Sequence, residues 1–89
     1  MSRPGDLVRL VPRPIDPGDD YVDWATGTVA LWCEDRDGHV DVPLGSVALV
    51  ITTESLGDMG PDLAQVLLCI GGDPVTVETF DDRLVGIPQ

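Results

Sequence analysis

Lysine is absent from these 89 residues, and five arginines face sixteen acids, a formal net charge of -11. A chain so poor in cations has little with which to neutralise phosphates. Binding to DNA or RNA is therefore not expected, nor is docking on an anionic membrane surface. A basic or apolar partner suits the charge better. Aromatics are also scarce: Tyr21, Trp24, Trp32 and Phe80 make up the whole set, too few for the stacking rows of single-strand binders. Two cysteines make no disulfide framework; Cys33 and Cys69 both lie in apolar strand runs and are expected to be buried free thiols. Long apolar runs are missing as well. Val47–Ile51 reaches five residues, far short of a spanning segment, and Arg3, Pro4, Gly5 and Asp6 break any signal-peptide pattern at once.

What is present is a 43% apolar content rich in valine and leucine, too high for a disordered chain despite the charge. The length suits one domain over residues 1–89 with a modest core. Its clearest stretch runs from Ala64 to Ile87. Val66, Leu68 and Ile70 alternate with Gln65, Leu67 and Cys69, the period of two that a strand imposes. Gly71, Gly72, Asp73 and Pro74 then force a turn, Val75 and Val77 resume the alternation, and after an Asp81–Asp82 turn Leu84, Val85 and Ile87 begin a closing strand.

The rest of the chain follows the same grammar. Leu7–Val11 reads as a first strand. Arg13–Asp23, with two prolines, a glycine and four aspartates, reads as an exposed acidic loop. Trp24–Glu34 predicts a long strand, Asp35–Gly38 a hairpin turn, Val40 and Val42 the return strand, Pro43–Ser46 a tight corner, and Val47–Ile51 a further strand. Glu54–Leu63 forms a second loop with room for one helical turn from Pro61.

Candidate chemistry is thin. Asp16, Asp19, Asp20 and Asp23 have no metal-loop spacing, and in Asp35, Asp37 and Asp41 around Gly38 the twelfth position of a calcium loop would fall on Leu44 rather than a glutamate. His39, the single histidine, has no nucleophile or second ligand at a recognisable spacing and reads as a surface residue. Gly71-Gly72 is accounted for by a turn. No catalytic, cofactor-binding or metal-binding residues are assigned, and no cofactor is expected.

The order GDLVRL, acidic loop, GTVAL, hairpin, DVP corner and VALVI, ending in VLLCIGGDPVTVETFDDRLVGI, resembles the SH3-like small barrels. Within them it is similar to small uncharacterised proteins of phages and marine viruses. The resemblance implies an all-β fold, a small SH3-like antiparallel barrel of about five to seven short strands with two exposed loops, in a host cytoplasm or a virion. It would also imply proline-rich ligands, but four aromatics make a poor polyproline groove and the ALYDY-type stretch is absent.

The expectation is a non-catalytic protein-interaction or structural module, such as a virion or assembly component. Its partner would be another protein or a second copy in a homodimer, with no nucleic acid and no membrane. Tyr21, Trp24 and Trp32 are the candidate interaction surface, alongside an exposed strand edge at Val47–Ile51, where few charges interrupt. The alternative is an acidic inhibitor that mimics nucleic acid on a host enzyme.

Overall fold

Period-two alternation puts one face of each segment in the core and the other in water, and in the computed structural model, which describes residues 3–12 and 21–88, these segments form one antiparallel sheet. Its strands are β1 (Leu7–Leu10), β2 (Val22–Asp23), β3 (Thr28–Cys33), β4 (Gly38–Pro43), β5 (Val47–Glu54), β6 (Leu63–Ile70), β7 (Asp73–Phe80) and β8 (Leu84–Gly86). The order across the sheet is β2-β3-β7-β6-β5-β1-β8, with β4 also paired to β3, and the sheet curls into an antiparallel half-barrel. Among the described residues there is no α-helix, and so none long and apolar enough to cross a membrane.

The concave side holds the core. Val8 and Leu10 from β1, Val29, Leu31 and Cys33 from β3, Val50 from β5, and Val66, Val75 and Val77 from β6 and β7 are all buried. A valine-rich core suits this geometry, because branched side chains fill a pleated surface with little rotamer entropy to lose. Each fully buried aliphatic contributes about 1.5–3 kcal/mol.

Several local expectations are corrected. The strand expected from Trp24 begins at Thr28. Before it, the Asp23 carboxylate accepts the amides of Ala25 (3.0 Å) and Thr26 (3.4 Å), and the Gly27 amide donates to the Asp23 carbonyl at 2.8 Å. That local turn leaves Trp24 in the connection between β2 and β3. Val22, expected in a loop, is buried and pairs with Val29, which brings the strand count among the described residues to eight. The β3–β4 hairpin turn expected at Asp35–Gly38 is present, as a 3₁₀ turn at Glu34–Arg36 followed by Asp37 in the left-handed conformation (φ 48°), with Gly38 already in β4; aspartate tolerates that conformation better than most residues. The helical turn expected at Pro61 falls at Gly57–Met59. Cys69 is exposed while Cys33 is buried, because odd positions of β6 face outward. Val47–Ile51 is no edge: β5 lies between β1 and β6. Asp16, Asp19 and Asp20 lie outside the described residues.

Candidate interaction cleft

Strand register brings the site together. On the outer face Trp32 of β3 stands opposite His39 of β4 on one side and Glu78 of β7 on the other. Leu63 of β6 stands opposite Phe80 of β7. Tyr21 enters beside them because its carbonyl accepts the Ala30 amide at 2.8 Å, which ties the start of the β2 hairpin to β3. These side chains, with Arg83 from the 3₁₀ turn Asp81–Arg83, line a cleft of about 380 Å³.

The rings order one another. Tyr21 and His39 stack with centroids 6.3 Å apart and planes at 24°, while Trp32 meets His39 edge-on at 5.6 Å and 79°. Both are preferred aromatic geometries. The Arg83 guanidinium carbon lies 5.8 Å from the centre of the Tyr21 ring, within cation–π range, and Arg83 is only 2% exposed. The cleft therefore has a fixed inner wall, with Tyr21 and Trp32 exposed at its mouth.

Of the three residues expected to form an interaction surface, Tyr21 and Trp32 share this cleft, whereas Trp24 is 60% exposed and not among its lining residues. Three of the chain's four aromatics gather here even though they are spread over sixty residues of sequence. His39, an isolated residue in the sequence, is exposed and lies in this cleft, and Arg83 carries no signal in the sequence that marks it. The β3–β4 register, countable from the hairpin, could have set His39 beside Trp32; nothing local marks an arginine for burial.

His39 and Glu78 also invite an acid–base reading, which needs the two within hydrogen-bond reach of each other or of a shared proton. Among the described residues no hydrogen bond joins them, and His39 is held instead by its ring contacts. Nor does any group of three or more histidine, cysteine, aspartate or glutamate side chains among these residues converge as a metal site. What the arrangement offers is aromatic faces beside the Glu78 carboxylate, with the Arg83 guanidinium buried against the Tyr21 ring in the inner wall. Comparison with protein-family models, curated proteins and solved structures finds no match, so the functional reading rests on these residues.

Proposed function

We propose that this chain is a non-catalytic protein-interaction module whose cleft receives a basic side chain, arginine or lysine, presented by another protein. The observation that carries this reading is the gathering of Tyr21, Trp32, His39 and Phe80 with Glu78 around one cleft on a chain of net charge -11. A cation over an aromatic face gains about 0.5–1 kcal/mol when exposed and about 2 when desolvated. The Glu78 carboxylate can add a charge-assisted hydrogen bond. The Arg83–Tyr21 contact is an intramolecular instance of the same attraction. On the β3–β4 hairpin that supplies Trp32 and His39, Glu34, Asp35, Asp37 and Asp41 are all exposed and favour basic ligands.

Selection of a random-peptide display library on the wild-type protein, with counter-screening on Trp32→Ala, tests this. The enriched peptides are expected to carry arginine or lysine, to lose about tenfold or more in affinity for Trp32→Ala as hot-spot truncations do, and to bind Trp24→Ala undiminished. Enriched peptides without basic residues, or binding indifferent to Trp32→Ala, would defeat the reading.

The acids of the β3–β4 hairpin favour a second reading, an acidic inhibitor that occupies the nucleic-acid site of a basic enzyme. That mechanism is led by charge. Capture of a polycation that disappears in high salt and ignores Trp32→Ala would favour it over the cleft.

A further inference from the structure

The outer face at the other end of the sheet is apolar. Leu7 of β1, Leu49 of β5 and Leu67 of β6 stand directly opposite one another across three neighbouring strands, and Arg9 of β1 stands between Val47 of β5 and Val85 of β8. Directly opposed residues have Cβ atoms about 4.5–5.5 Å apart, so these side chains form one continuous surface. With Ile51, the six apolar members are each 37% to 52% exposed. Singly exposed leucines are ordinary, whereas a contiguous apolar patch rimmed by polar side chains is the kind of surface that partners use.

We infer that this face of β8, β1, β5 and β6 is the contact between two copies of the chain, related by a twofold axis. Charge distribution selects the occupant. With net charge -11 on each copy, two copies repel over most approaches, but the exposed positions of β1, of β5 as far as Ile51, of β6 and of β8 include no acid and one cation, Arg9. Acids flank that face instead, Asp6 just before β1 and Glu54 at the end of β5. In a twofold contact each surface meets itself, so Arg9 of one copy is brought toward the acidic rim of its mate while the leucines meet at the centre. A stable interface takes about 800 Å² from each partner, apolar at its centre and polar at its rim; the six apolar residues supply the centre, and Arg9, Thr52 and Cys69 continue the exposed surface. The face is separate from the aromatic cleft, so this inference stands or falls independently of the proposed function.

Cys69 reports on it directly. Its thiol is exposed on β6 two residues beyond Leu67, and the other cysteine, Cys33, is buried. Sedimentation velocity from low to high micromolar protein should show a reversible monomer–dimer equilibrium, and the reaction of Cys69 with a thiol reagent should slow several-fold over the same range. Leu49→Asp should hold the protein monomeric, with Cys69 reacting at the dilute rate throughout; far-UV circular dichroism checks the fold, and Leu67→Thr takes its place should that variant not fold. A wild-type monomer at every concentration with constant Cys69 reactivity would overturn the inference. So would a dimer that survives these substitutions with Cys69 still reactive, since the contact would then lie elsewhere. A monomer whose Cys69 is protected only by added phosphatidylcholine vesicles would also overturn it, in favour of a lipid-facing surface.

Discussion

Leu10 is fully buried where β1 meets β8, with Leu84 as its cross-strand partner. It touches the part of the sheet that closes last in sequence, so its loss loosens both ends of the chain together. Leu10→Ala should destabilise the protein by about 2–5 kcal/mol, a large share of the roughly 5–13 kcal/mol that a domain of this size holds. Urea denaturation followed by tryptophan fluorescence measures it; a loss under about 1 kcal/mol would mean that this corner repacks. At this scale the sequence was informative about the core and poor about exceptions. Val66, Leu68, Val75 and Val77 were expected inside and lie there. Cys69 is exposed because strand parity outweighs the usual tendency of free cysteine toward burial. Arg83, by contrast, is buried, and one of its contacts, the Tyr21 ring, comes from a distant part of the sequence.

The β6–β7 hairpin is the element with the most demanding connection. Ile70 pairs with Asp73 across two linking residues, Gly71 (φ 60°) and Gly72 (φ 87°), the double positive φ of a type I′ turn. Asparagine is at home at the first of these positions, and a β-branched residue is not. Gly71→Asn should keep the melting temperature or raise it, while Gly71→Val should lower stability by about 1–2 kcal/mol; equal effects from both would show that the turn tolerates another geometry. This hairpin was readable because its strands alternate cleanly and its turn residues have one use. The β2–β3 hairpin was not. Two residues, Val22 and Asp23, carry no period, and Asp23 accepts the Ala25 amide at 3.0 Å in a turn that the aromatic and alanine residues around it do not advertise. The cleft was legible to the same degree: Tyr21 and Trp32 stood out as rare residues, but their meeting depends on that short hairpin and on the pairing of β3 with β7, a contact between distant segments that local pattern cannot supply.

For the whole molecule the governing quantity is charge. Folding confines a net charge of -11 within a radius of gyration of 12.3 Å, and the self-repulsion opposes the compact state. Sodium chloride shortens the reach of that repulsion, to about 10 Å at 0.1 M. Moving from low to moderate salt should therefore raise the urea midpoint by on the order of 1 kcal/mol in stability, with an unchanged m-value showing that the native and unfolded states themselves are the same. A midpoint indifferent to salt would mean the acids lie too far apart to matter. The placement of those acids matters as much as their number. Glu34, Asp35, Asp37, Asp41 and Glu78 lie at the β3–β4–β7 end of the sheet, whereas no exposed position of β1, β6 or β8 carries an acid. On the proposed reading, the acids of the β3–β4 hairpin would turn a positively charged partner toward the aromatic cleft before contact is made.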